Sequence, residues 1–237
     1  MAETTVETPI APTHAPLAGP GAPGLRRSPA AQLADGFAAA SAATAGDAAR
    51  AVAVREVPFL IQLGLRAVPG SAAAQALESA LGAPLPSGHG STTSGGGFTV
   101  LWIGPDEYLA VGDETSFPED RGPAEAARVG EALGEAGARA AGAVVDLSAN
   151  RTTFELTGPS ARAVLEKGVS FDLHPRHFAA GQAVATVLDH VPVLVWKTGE
   201  ESFRILPRAS FADHVGRWLI DAMREFTVRE LPGPGVR

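Results

Sequence analysis

Asp146, Ser148 and Arg151 place a carboxylate, a hydroxyl and a guanidinium within one short stretch, Val144-Val-Asp-Leu-Ser-Ala-Asn-Arg151. A carboxylate there can serve a ligand pocket, but general acid–base work needs a second acid or base at workable spacing. None stands nearby in the sequence. Asp-x-Ser is also a favourable turn, because both side chains can bond the backbone amides that follow. Arg151 then has a structural use as well, pairing with Asp146 or Glu155. The turn is the favoured reading. Gly158-Pro159 follows the next alternating strand and opens a helix, whose first amides can hold an anion. Proline at the first helical position and glycine for tight strand-to-helix packing explain the same pair without a ligand.

Other reactive groups are scattered. His174 and His177 (His-Pro-Arg-His) have only Asp172 beside them, and Pro175 breaks the helix that would align them for a metal. His14 and His89 fall in expected loops, His190 in a hairpin turn and His214 on a helix surface. None has a visible partner for a nucleophilic triad, and no Gly-x-Ser-x-Gly elbow occurs. The run Ser94-Gly-Gly-Gly97 precedes a strand rather than a helix, which makes it a loop and not a phosphate cradle. Trp102, Trp196 and Trp218 read as core or interface aromatics. Trp102 and Trp196 are expected at the ends of short strands, where half-exposed rings can anchor a protein partner.

The composition narrows the classes. With 237 residues, a net charge of -7 and no basic run beyond Arg26-Arg27, the chain lacks the footprint of a nucleic-acid binder. Zero cysteines exclude disulfides and thiolate-held metals, and fit a reducing compartment. No stretch approaches the roughly 18–20 apolar residues that span a bilayer. The N-terminus lacks the basic start and apolar core of a secretory signal, so a cytoplasmic location is expected.

Elements follow from periodicity. Residues 1–54 are rich in Ala, Pro and Gly and are expected to be a disordered or weakly helical tail, with too few large apolar residues to dock it. Residues 55–147 read as a first half: a strand in which Phe59, Ile61, Leu63 and Leu65 alternate onto one face, a helix over Ala72–Leu81 capped by Ser71, a Gly/Ser/Thr loop, a hairpin turning at Gly104-Pro-Asp106, a helix from Ala124, and a closing strand. This β-α-β-β-α-β order is the split arrangement of ferredoxin-like domains. Residues 148–228 repeat it loosely and close on the amphipathic helix Phe211–Phe226. Residues 229–237 read as a flexible tail. The expected fold class is α+β, with two ferredoxin-like halves.

Four blocks, FLIQLGLR, LWIGPDEYLAVG, VVDLSANRTTFELTGPSARAVLEKGVSFDLHP and RASFADHVGRWLIDA, together resemble the gamma subunits of heterotetrameric sarcosine oxidase. The resemblance runs from about Val57 to Met223. That family is in turn similar to the folate-binding aminomethyltransferases, sharing the Asp-x-Ser turn and the strand-Gly-Pro-helix unit, here Asp146 to Leu165. Where the aminomethyltransferases carry an Asp-Asp pair before an apolar strand, this chain has Val191-Pro192, and where they have Asn after the next strand it has Arg208. An apolar dipeptide cannot accept a proton or hydrogen-bond a pterin. The resemblance therefore implies a structural subunit with no catalytic, cofactor-binding or metal residues of its own. It would sit in a complex that oxidises sarcosine to glycine. FAD, FMN, NAD and tetrahydrofolate are expected on the alpha, beta and delta partners, chiefly alpha making the contact. Trp102, Asp146, Ser148, Arg151 and Trp196 are the residues it leaves as partner-facing or turn-structuring. A free-standing folate-dependent one-carbon transferase is the alternative.

Overall fold

A computed structural model of the chain describes residues 26–117, 121–134 and 142–227. In chain order the elements are α1 (Ala34–Thr44), β1 (Ala53–Glu56), β2 (Gln62–Arg66), α2 (Ala72–Leu81), β3 (Thr92–Gly95), β4 (Phe98–Gly104), β5 (Glu107–Gly112), α3 (Gly122–Glu131) and β6 (Ala143–Asp146). Then follow β7 (Phe154–Thr157), α4 (Ala161–Leu165), β8 (Ala183–Leu188), β9 (Val191–Gly199), β10 (Ser202–Pro207) and α5 (Ala212–Met223). The strands build two five-stranded sheets, β3-β4-β5-β2-β6 and β1-β7-β10-β9-β8, with antiparallel neighbours throughout.

The second order, read backwards, is β8-β9-β10-β7-β1 and superposes in topology on the first. Each sheet is the split ferredoxin-like arrangement with one extra edge strand, β3 or β8. The fourth strand of the first unit, β6, comes at its end. The fourth strand of the second unit is β1, which precedes the whole first unit. The first unit is thus inserted between the last strand of the second and the rest of it.

This corrects the expected boundaries. The segment before residue 54 is not a loose tail over the described residues: α1 docks through buried Phe37, the 3-10 turn before it through buried Leu33, and β1 pairs with β7 from Ala53↔Thr157 to Glu56↔Phe154. The expected tails at residues 1–25 and 229–237 lie outside the described residues. The expected strand through Phe59 starts later, at Gln62, because Phe59 adopts φ 61° in a turn after Pro58. The expected glycine-rich loop contains β3 and closes a two-residue hairpin at Gly96 and Gly97, whose φ values of 54° and 82° suit the right-handed twist of the strands.

Each sheet buries one face under its own helices. In the first unit Leu63, Leu65, Val100 and Ala110 meet Leu77, Leu81 and Val129. In the second, Phe154, Leu156, Phe203 and Ile205 meet Val164, Val215, Leu219 and Phe37. The opposite faces pack on each other, with Leu101, Leu109 and Val111 against Ala183, Leu194 and Leu206.

An ionic ring pins the units together. Glu114 of the first unit reaches Arg55 at 3.1 Å and Arg204 at 2.7 Å, and Glu155 reaches the same two arginines at 2.5 and 3.4 Å. The hydrogen bond from Arg55, against some opposing burial, holds the Glu114 carboxyl below its ordinary value. A depressed carboxylate stabilises the fold above its unfolded value and loses that contribution as pH falls through the folded one. Glu114 and Arg55 are substantially exposed, so Glu114→Gln should cost only about 0.5–1 kcal/mol at neutral pH. Urea midpoints of wild type and variant should converge as pH falls below the ordinary carboxylate range and through the lowered folded value. A gap that persists in acid would show that the ring contributes through packing instead.

Candidate functional site

Asp146 ends β6, and its Oδ1 accepts from the Ser148 amide at 3.0 Å and the Ser148 hydroxyl at 2.6 Å. Ser148 Oγ in turn accepts from the Gln62 amide at 3.1 Å, tying the turn to the start of β2. The first turn of α3 lies against this carboxylate. A Cβ on Gly122 would stand 2.5 Å from Ser148 Oγ and 2.8 Å from Asp146 Oδ1, so the residue must be glycine for the helix to approach. A negative group at a helix start is favoured by the backbone dipole. Asp146 and Ser148 are thus bonded to each other in a turn at the end of β6.

The third member of that trio behaves differently. Half-buried Arg151 donates from Nη1 to the Leu206 carbonyl at 3.0 Å, and its own carbonyl accepts from Gln62 Nε2 at 3.2 Å. Its expected pairing with Asp146 or Glu155 is not formed. Glu155 lies in β7 directly opposite Arg55 and Arg204 on the two flanking strands, and cross-strand neighbours take its charge. Burial, with the Arg208 charge adding to it, pushes the Arg151 guanidinium down from its ordinary value. Among the described residues neither Arg151 nor Arg208 has a carboxylate within ion-pair distance. The two are joined by a backbone bridge.

Arg151 stands at one side of an open groove of about 410 Å³ whose other walls include Gly64, Leu109, Val145, Leu147 and Leu194. Gly64 widens it: a Cβ there would meet Leu147 at 2.6 Å. A glycine interrupting the alternation of β2 was the sequence signal for this close approach. Pairing across sheets set the rest, which no local spacing revealed.

The two tryptophans sit elsewhere. Both are half-buried inside their strands, not at the ends, because β4 and β9 run longer than expected. Trp102 packs edge-on against His89 with ring centroids 5.7 Å apart. Trp196 lies in the layer between the sheets under the Arg204 guanidinium, 5.5 Å from its ring. The Gly158 turn offers no anion a place, since the Ser160 amide donates to Ala51 and the Ala161 amide to Gly158. His174 Nδ1 accepts from the Arg176 amide, and Asp172 Oδ1 from the His174 amide. In the β8–β9 hairpin Val191 is buried in the second core, while Asp189 faces exposed His190 and His214 at 3.5 and 3.6 Å. No helix among the described residues is long and apolar enough to cross a membrane.

The family model described as sarcosine oxidase, gamma subunit family, matches residues 65–225. The sarcosine oxidase subunit gamma of Corynebacterium sp. strain U-96 is 49% identical over 87% of this chain and 94% of its own length. That of Arthrobacter sp. is 49% identical over 85% and 92%. A chain of the heterotetrameric sarcosine oxidase from Corynebacterium sp. U-96, solved with pyrrole 2-carboxylate, aligns over 88% of this chain and 100% of its own, with 48% identity and a TM-score of 0.77. The glycine cleavage system aminomethyltransferase T from Bartonella henselae shares the fold at 16% identity and a TM-score of 0.52, over 76% of this chain and 48% of its own. The chain belongs to the sarcosine oxidase gamma subunit family.

Proposed function

We propose that the chain is the structural gamma subunit of a cytoplasmic heterotetrameric sarcosine oxidase, in which alpha, beta and delta subunits carry out the oxidation of sarcosine to glycine. FAD, FMN, NAD and tetrahydrofolate belong to those partners, and the alpha subunit makes the main contact. The observation that carries this reading is the 49% identity to a sarcosine oxidase subunit gamma across 94% of that relative. Site chemistry supports it. The Asp146 carboxylate is held in a turn, Arg151 is held to a main-chain carbonyl, and the hairpin position read as an acid pair in the aminomethyltransferases is Val191-Pro192. Such groups can shape a surface, but they do not make a proton-transfer pair.

Coexpression with the alpha, beta and delta subunits should yield a stable complex containing this chain through affinity and sizing chromatography. A chain that always elutes alone sinks the reading. Calorimetric heat from tetrahydrofolate binding to the isolated chain would favour the free-standing folate alternative instead.

A further inference from the structure

The two units are built alike, yet their equivalent fourth strands are finished differently. The outward edge of β1 is closed by α1: the Val52 and Val54 amides donate to Thr44 Oγ1 and Ser41 Oγ at 3.1 and 3.0 Å. At the other end of the molecule β6 is also an edge strand. Leu147 donates inward to the Gln62 carbonyl, so alternation along the strand turns the Val144 and Asp146 amides outward. Among the described residues nothing accepts from them. Val145, opposite Gly64 of β2, is 54% exposed on this edge, an apolar side chain on an open strand. It lines the groove together with Gly64, Leu147, Arg151 and Leu194.

Charge points to the occupant. In a chain of net charge -7, Arg151 and Arg208 are neighbouring cations with no carboxylate at ion-pair distance among the described residues, and Arg151 is half-buried where an opposite charge gains most. By contrast Arg66, at the rim, is already matched by Asp106 and Glu107 at 3.2 and 2.7 Å. We propose that an extended segment of a partner subunit adds as a strand to β6, laying aliphatic side chains into the groove and a carboxylate against Arg151. Main-chain bonds to the outward amides supply affinity, and the Arg151 contact fixes register. This assignment rests on the subunit reading above and names the surface that serves it.

The test is coexpression of the full chain with the alpha, beta and delta subunits, comparing wild type, Val145→Lys, Arg151→Glu and Ala185→Lys. The last places the same charge on the exposed edge strand β8. Loss of one central contact corresponds to roughly tenfold weaker capture. That is expected for Val145→Lys and Arg151→Glu, with Ala185→Lys unchanged. Melting temperatures identify any variant that fails to fold; if Arg151→Glu does, Val145→Lys at its exposed position decides alone. A wild-type chain that captures no partner overturns both readings. Wild-type capture with undiminished capture by Val145→Lys overturns this surface alone. So does loss confined to Ala185→Lys, or an effect of Val145→Lys only on self-association of the isolated chain, which would make the groove a contact between copies.

Discussion

Gly158→Ala should lower stability by about 2–6 kcal/mol, read as a shift in the urea midpoint. Two costs add. Gly158 has φ 114°, outside the regions an L side chain adopts readily, a strain of about 1–3 kcal/mol. An added Cβ would also stand 2.6 Å from the Ala51 carbonyl oxygen and 3.2 Å from Val52 Cα. These are backbone atoms and cannot rotate away, so overpacking contributes about 1–3 kcal/mol more. The displaced segment leads directly into β1, whose Ala53 is registered opposite Thr157. Separation there would loosen the strand that completes the second sheet. Gly130→Ala serves as the contrast: a Cβ there meets nothing within 4 Å in the last turn of α3, and the change should stabilise by about 0.5–1 kcal/mol. Equal, small effects at both positions would refute the close approach at Gly158.

The sequence carried the first unit well because its signals are local. Ser71 caps α2 by accepting from the Ala74 amide at 3.1 Å, Gly82 ends it with φ 69°, and Gly104-Pro-Asp106 turns β4 into β5, each within a few residues of the element it defines. The Asp146–Ser148 turn was legible for the same reason. The second unit depends on partners far apart. Nothing in Ala53-Val-Arg-Glu56 announces that it pairs with residues 154–157, since four residues with one buried side chain, Val54, are too short a pattern to read. Arg151 lost Glu155 to Arg55 and Arg204 for a similar reason: register, invisible in one strand, placed two arginines nearer. Phe211, expected in the buried stripe of the last helix, is 40% exposed because it sits in a short 3-10 turn before α5 begins. The groove beside β6 is formed by β2, β5, β6 and β9 together, and only Gly64 hinted at it.

Phe37→Ala should cost about 3–5 kcal/mol, the range for removing a buried phenylalanine from a core that cannot collapse around the void. The surrounding sequence, Ala-rich and sparse in large side chains, argued against a docked helix. Small residues are what make the docking close. A Cβ on Gly216 of α5 would stand 2.5 Å from Leu33 and 3.0 Å from Phe37, so α1 rests almost on the α5 backbone. The Phe37 ring then meets Phe154 edge-on with centroids 5.6 Å apart, in the central part of the second core. A helix this short is marginal without such anchorage. Losing the ring should release α1 before the sheet opens, and with it the Ser41 and Thr44 hydroxyls that close the edge of β1. Hydrogen exchange should therefore accelerate first at Val52 and Val54, while the Leu63 and Leu65 amides in the first unit keep their protection. Uniform acceleration in both units would mean that α1 and the inserted unit unfold as one body. Unchanged exchange at Val52 and Val54 would mean that the edge is closed by something other than α1. The expected pattern, local at β1, would establish that the chain guards one of its two equivalent sheet edges with its own helix.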